Sequence, residues 1–239
     1  MKLVDLSFPS PAENLACDEA LLDWCESGGG EEVLRFWASP EHFVVVGYAN
    51  EVATEVNVAA CEARGIPILR RCTGGGTVAQ GPGCLNYALV LRIMADGPTR
   101  SISAANRFIM ERNCVTIEAL LGRRVEVCGQ TDLAKDGLKF SGNSQRRRRK
   151  FLLFHGTFLL SFDLELMGKL LRMPSLQPDY RQSRSHEGFA ANLNVPAAKV
   201  KAALRNSWAA SGALSVSLGS EIAKLVEQKY SKPEWNLKF

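Results

Sequence analysis

Three consecutive glycines interrupt a strand-like part of this chain, in Arg70-Arg71-Cys72-Thr73-Gly74-Gly75-Gly76-Thr77-Val78. Glycine loses more backbone freedom on ordering than any other residue, so such a run belongs in neither a helix nor a strand interior. The flanking β-rich segments, Ile66 to Arg70 and Leu85 to Ile93, predict a sheet whose strands are joined by a closely approachable loop. Successive amide N–H groups in such a loop form a concavity suited to phosphate or carboxylate oxygens. Arg70 and Arg71 each offer a planar fork for an oxyanion. Alternation along a strand points the two to opposite faces, so only one need reach a ligand. Thr73 and Thr77 add hydroxyls. A solvent-exposed turn would use the same glycines. The pattern is neither the Walker G-x-x-x-x-G-K-[ST] nor the dinucleotide G-x-G-x-x-G.

The chain has 239 residues, enough for one large domain spanning 1–239. With 46% hydrophobic and 23% charged residues it sits near the average for globular proteins, which excludes disordered and fibrous classes. No apolar run reaches the roughly 18 residues of a membrane span. The start, Met1-Lys2-Leu3-Val4-Asp5, does not read as a signal peptide. Seven scattered cysteines without a C-x-x-C pair suggest reduced core residues and a cytoplasmic setting. The net charge of +4, concentrated in Arg146 to Lys150, suits an anionic ligand or an acidic partner protein. By default that basic run is a solvated face.

Helices are expected at Glu13–Glu26, ended by Gly28-Gly29-Gly30, and at Val58–Arg64. A longer one is expected from a Ser101 or Ser103 cap to about Leu121, with Phe108, Ile109, Val115 and Leu120 facing the core. Strands are expected at Val33–Trp37, Phe43–Gly47, Val125–Cys128 and Lys150–Phe162, with a hairpin turn at Lys135-Asp136-Gly137. The last third reads as helices at Leu164–Met173, Pro196–Ala210 and Ser220–Lys229. This order predicts an α+β fold: a mixed, mainly antiparallel sheet flanked by helices.

A second cluster is Leu138-Lys139-Phe140-Ser141-Gly142-Asn143-Ser144-Gln145, following Asp132. Alternation places Lys139 opposite the apolar Leu138 and Phe140, on a face that is either solvent or cleft. Gly142, Ser141 and Ser144 leave room for a ligand beside it. His155 lies in the apolar Phe151 to Leu160 run, where a hydrogen-bonded core histidine is the plain reading. Gly156 beside it signals close approach of backbone or ligand.

Together, the glycine loop, the Lys139 segment and His155-Gly156-Thr157-Phe158-Leu159-Leu160 resemble the lipoate–protein ligase A family, within the wider biotin/lipoate ligase fold. Weaker matches are Asn14-Leu15-Ala16, Leu34 to Trp37, Val46-Gly47 before Asn50, and the closing Lys229-Tyr230 through Trp235-Asn236. The resemblance implies a class II synthetase-like fold. It also implies that lipoate or octanoate is activated by Mg-ATP to an acyl-adenylate and passed to a lysine of a lipoyl-domain protein. By the same resemblance Lys139 is the catalytic lysine, touching acyl carbonyl and phosphate oxygens, where charge develops in both transition states. Arg70, Arg71 and Thr73 match the acyl-carboxyl and phosphate site; Gly74, Gly75, Gly76, Thr77 and Val78 match the backbone around nucleotide and acyl chain. Ser141 and Gly142 flank the lysine, His155 matches a residue near the acyl group, and Asp132 lies toward the nucleotide and metal.

Where many such ligases carry a His-Asp pair and a Gly-Asn step, this chain reads Ala79-Gln80-Gly81-Pro82-Gly83-Cys84-Leu85-Asn86, and Thr131 replaces an asparagine. The resemblance covers no C-terminal accessory domain, so a separate accessory subunit is an implied partner. Related octanoyltransferases use a cysteine thioester in place of ATP, and Cys128 is the candidate nucleophile for that alternative. A non-catalytic lipoyl-binding protein is the third reading. No helix-turn-helix segment precedes residue 13, so nucleic acid is not an expected partner.

Overall fold

The computed structural model describes residues 1–28 and 30–239; of the expected stop Gly28-Gly29-Gly30, Gly29 lies outside the described residues, and Gly28 and Gly30 take positive φ of 129° and 71°. Ten strands form two sheets: β1 Lys2–Asp5, β2 Val33–Trp37, β3 Phe43–Val46, β4 Ile68–Arg70, β5 Val78–Gln80, β6 Cys84–Arg92, β7 Glu126–Cys128, β8 Asp132–Lys135, β9 Leu138–Arg147 and β10 Phe151–Leu159. The larger sheet has the order β1-β2-β6-β10-β9-β8-β7, and the smaller the order β4-β3-β5. Only β1 with β2 and β3 with β4 run parallel among the described pairs. Asp136 and Gly137, at φ 55° and 74°, supply the left-handed pair that a tight β8–β9 hairpin requires.

The helices are α1 Pro11–Trp24, α2 Val52–Glu55, α3 Val58–Glu62, α4 Ile102–Leu121, α5 Leu164–Leu170, α6 His186–Phe189, α7 Ala197–Ser207, α8 Gly219–Leu225 and α9 Pro233–Asn236. α1 starts earlier than its apolar pattern suggests, because Ser10 and Glu13 form a reciprocal capping box and Pro11 opens the first turn. α4 is capped by Ser101 and stopped by Gly122 at φ 61°. On it Ile109 is fully buried and Phe108 and Leu120 pack partly, whereas Val115 faces outward at 69% exposure, midway between the buried Asn113 and Ile117 and so on the opposite side of the helix. None of the described helices is long and apolar enough to cross a membrane.

The long antiparallel strands separate two cores. Leu85, Tyr87, Leu89, Leu152, Phe154 and Phe158 alternate onto one face and pack with α4 and α7. Ala88, Val90, Phe151 and Leu153 alternate onto the other, beneath α1 and α8. The smaller sheet, with Val44 and Val46 buried against α2, α3 and α5, stands over the end of this second face. The space left between the two sheets is the site.

Candidate active site

A cavity of 340 Å³ opens there. Its floor is set by strand register. One row across β2, β6, β10 and β9 reads Trp37, Asn86, Thr157, Gly142, and the next reads Arg35, Ala88, His155, Ser144. Its roof is the glycine loop with Val45 and β5, and its rim is the segment from Leu171 to Ala190.

The glycine loop is shaped from inside by Arg71. This buried side chain donates from Nε to Thr73 Oγ1 at 3.0 Å and from Nη2 to the carbonyls of Gly74 and Gly76, the latter at 2.7 Å. In a planar trans peptide the N–H lies opposite its carbonyl, so the N–H groups of Gly75 and Thr77 point away from Arg71. Gly75, Gly76, Thr77 and Val78 all line the cavity. Gly75 takes φ 80°, and Gly47 must also be glycine, since a Cβ there would stand 2.0 Å from the Gly75 carbonyl oxygen.

Arg70 takes the opposite face, as alternation requires, and stands outside the cavity lining. Its guanidinium donates to the carbonyls of Gly47 at 2.7 Å, Asn50 at 2.8 Å, Tyr48 at 3.2 Å and Trp235 at 3.1 Å. Its donors therefore clamp the closing segment to the loop's base. That also accounts for Trp235-Asn236, whose side chains bond back to the Arg70 backbone.

Lys139 lies across the floor. Its Nζ is 2.7 Å from Asp132 Oδ1, and Tyr180 donates to Asp132 Oδ2 at 2.7 Å. A Cβ at Gly142 would meet Lys139 Cε and Nζ at 2.9 Å, so a side chain there would require the end of the lysine to shift. Ser141, Gly142 and Ser144 line the same wall, and Ser144 donates to the Gly74 carbonyl at 2.7 Å, tying β9 to the loop. The rim adds Arg172, Arg181 and His186. Burial holds the His186 imidazole below its ordinary pKa, with nearby Arg181 and Lys139 acting in the same direction.

His155 reaches the cavity from a buried chain of charges. Its Nδ1 is 2.9 Å from Asp18 Oδ2, its Nε2 is 2.7 Å from Thr73 Oγ1, and Asp18 also pairs with the fully buried Arg35. Asp18 and Arg35 also carry a signal in the sequence. An arginine within the apolar run Val33 to Trp37 needs an anion nearby, and Asp18 in the apolar part of α1 supplies it.

Cys128 sits on edge strand β7 opposite Asp132 and outside the cavity lining. Burial and the neighbouring Glu126 and Asp132 carboxylates raise its thiol pKa, the reverse of what a thiolate nucleophile needs. None of the seven cysteines, all unpaired, lines the cavity. The Arg146–Arg149 run is not the simple solvated face expected. Arg146 approaches the buried Glu19 at 3.4 Å, Arg148 pairs with Asp23 at 2.7 Å, and Lys229 and Tyr230 also converge on Glu19. Among the described residues no group of three or more His, Cys, Asp or Glu side chains is arranged to hold a metal ion.

Known proteins share both sequence and shape with this chain. The octanoyltransferase LipM of Geobacillus kaustophilus is 25% identical over 272 residues, covering 99% of this chain and 98% of its own. That of Bacillus subtilis is 26% identical with the same coverage. A crystal structure of lipoate-protein ligase A bound with ATP superposes with a TM-score of 0.85 at 25% identity, over 99% of this chain and 98% of that one. The bi-partite lipoate protein ligase of Thermoplasma acidophilum, described with its E2 lipoyl domain, gives 0.83 at 25% identity, over 99% and 95%. The family model of the lipoyl protein ligase A/B catalytic domain matches residues 10–206, from the α1 cap past His155. This chain is an enzyme of the lipoyl protein ligase A/B catalytic domain family.

Proposed function

We propose that this enzyme activates a medium-chain acid, lipoate or octanoate, with ATP to the acyl-adenylate, and passes the acyl group to a lysine of a lipoyl-domain protein. The observation that carries this reading is the position of Lys139 at a cavity that no cysteine lines. An ammonium held over a glycine can follow the acyl carbonyl and a phosphate oxygen as both gain charge, which is where electrostatic catalysis acts. The loop N–H groups of Gly75 and Thr77 suit oxyanions. Arg172 and Arg181 on the rim suit the outer phosphates.

The residues present fit a nucleotide's negative charge better than they fit a resident metal. Asp132 is the carboxylate that would hold a magnesium ion arriving with the nucleotide, and such an ion would offset phosphate charge. Lys139 then has to leave Asp132 for the substrate, while Tyr180 keeps the carboxylate oriented. The acyl chain runs over the floor between the sheets, and its burial contributes on the order of 25 cal/mol per Å².

The second reading is octanoyl transfer without ATP, favoured by the names of the curated relatives. Lys139 would stabilise the oxyanion in that reaction as well. The test is incubation with lipoate or octanoate, Mg-ATP and a lipoyl domain, following pyrophosphate release and acceptor mass, with octanoyl-carrier protein as a second donor. ATP-dependent acylation lost in Lys139→Ala and kept in Cys128→Ser supports ligation. ATP-independent transfer with an enzyme adduct lost in Cys128→Ser would replace it with the thioester route.

A further inference from the structure

The floor of the cavity holds polar atoms that a plain hydrocarbon chain would leave unsatisfied. Gln80 reaches over from the smaller sheet and donates to Thr157 Oγ1 at 2.7 Å, and Thr157 donates onward to Asn86 Oδ1 at 2.6 Å. Gln80 Oε1, Asn86 Nδ2 and Trp37 Nε1 are buried with no hydrogen-bond partner in the protein. All of these residues line the cavity, and Gln80, Asn86 and Trp37 are only 6%, 3% and 2% exposed.

This does not depend on which way either carboxamide is turned. A hydroxyl standing between two amides donates to one carbonyl and accepts from the other amide's nitrogen. Turning both amides only exchanges the remaining ends, so one carbonyl oxygen and one NH₂ always remain for a ligand. Unsatisfied buried polar groups are rare and costly, which makes a matched pair of them a recognition feature.

Register gives their position along the chain of a bound acid. Gly142, against which Lys139 lies, is followed across the floor by Thr157, Asn86 and Trp37 on successive strands. Two strand spacings of about 4.8 Å put Asn86 about 10 Å from Gly142. With the acyl carbonyl at Lys139, that is the reach of the distal carbons of a medium-chain acyl group.

We propose that this site selects a medium-chain acid carrying a distal group that both donates and accepts a hydrogen bond, a hydroxyl or a thiol, over unsubstituted octanoate. The proposal rests on the acyl-site reading given above and adds its substrate class. A hydroxyl or thiol near the chain end accepts from Asn86 and donates to Gln80, or the reverse. A dithiolane sulfur accepts only weakly and satisfies one of the two. A methyl terminus satisfies neither, and it strips any bridging water from them.

The test is calorimetric binding of octanoate, lipoate, dihydrolipoate and 8-hydroxyoctanoate to the purified chain, with and without Mg-ATP. The hydroxy acid and the dithiol are expected to bind about tenfold or more tightly than octanoate, with lipoate between them. Gln80→Met with Asn86→Leu is expected to bring that ratio to about one. Equal or tighter binding of octanoate by the wild type overturns the proposal and leaves the acyl site standing. Binding of none of the acids by the wild type overturns the acyl-site reading, and this proposal with it. The wild-type ratio decides even where the double variant does not fold.

Discussion

His155 Nδ1 lies 2.9 Å from Asp18 Oδ2, and the opposite ring nitrogen lies 2.7 Å from Thr73 Oγ1. An ionised carboxylate can only accept, so the Nδ1 nitrogen carries a proton and the ring is fixed in one orientation. The base of the glycine loop is thereby tied to the wall of the cavity through a charge buried in α1. Asp18→Asn keeps the shape but removes the counter-charge of Arg35, which is itself fully buried. The expected loss is about 3 kcal/mol, as for other broken buried pairs, read from urea unfolding at pH 7. Unchanged stability would mean that Arg35 finds another anion.

The same carboxylate governs acid stability. Burial opposes its ionisation, yet Arg35 and then His155 outweigh burial and hold Asp18 below the ordinary carboxylate value. A depressed folded-state pKa contributes stability that is present above the unfolded value, about 3.9, and is lost as pH falls through the folded one. The wild type is expected to lose melting temperature steeply below about pH 4. Asp18→Asn, less stable at neutral pH, is expected to show a shallower acid limb. Parallel melting curves from pH 7 to pH 3 check this, and identical slopes would assign acid sensitivity to other carboxylates.

Lys139 and Gly142 are coupled by contact rather than by charge. Lys139→Ala is expected to reduce acyl transfer by about 10²- to 10³-fold, the usual loss when one oxyanion-stabilising donor is removed. The melting temperature should hardly move, because the lysine is 28% exposed and its pair with Asp132 is worth about 1 kcal/mol at most. Gly142→Ala leaves the ammonium present but places a methyl 2.9 Å from its Nζ. A loss of turnover is expected, since a displacement of about 1 Å costs about 10²-fold. Full activity in Gly142→Ala would show that Lys139 works from another position.

Much of this arrangement is legible in the sequence. The glycine loop, the Lys135-Asp136-Gly137 turn and the strand bearing His155 follow from local rules, because turn chemistry and period-two burial act within a few residues. Helix ends were less legible: α1 begins at a capping box two residues before its apolar pattern suggests. The pairing of Asp18 with Arg35 and of Arg146 with Glu19 links residues far apart in sequence, and no local pattern fixes such partners. Arg172 and Arg181 join the site, and Tyr180 reaches Asp132, from a rim segment with no periodic signal. Alternation gave opposite faces to Arg70 and Arg71 but not the face that meets the cavity.

That last ambiguity gives a direct comparison between neighbours. Lysine keeps the charge of arginine but lacks its planar fork of donors. At position 70 it would leave several of the carbonyls of Gly47, Tyr48, Asn50 and Trp235 without donors, and the buried one at Gly47 would cost about 1–3 kcal/mol if unsatisfied. Arg70→Lys is therefore expected to lower the melting temperature strongly, while the remaining folded enzyme keeps its KM for the acid. At position 71 the fork holds Thr73, Gly74 and Gly76 in the conformation that turns the loop's N–H groups away from it. Arg71→Lys is expected to cut kcat/KM by about 10²-fold through misplacement of the loop, with a smaller thermal shift. Assays at a temperature where both variants remain folded separate the two effects. The opposite pattern, with activity lost at 70 and stability at 71, would return Arg70 to the phosphate site.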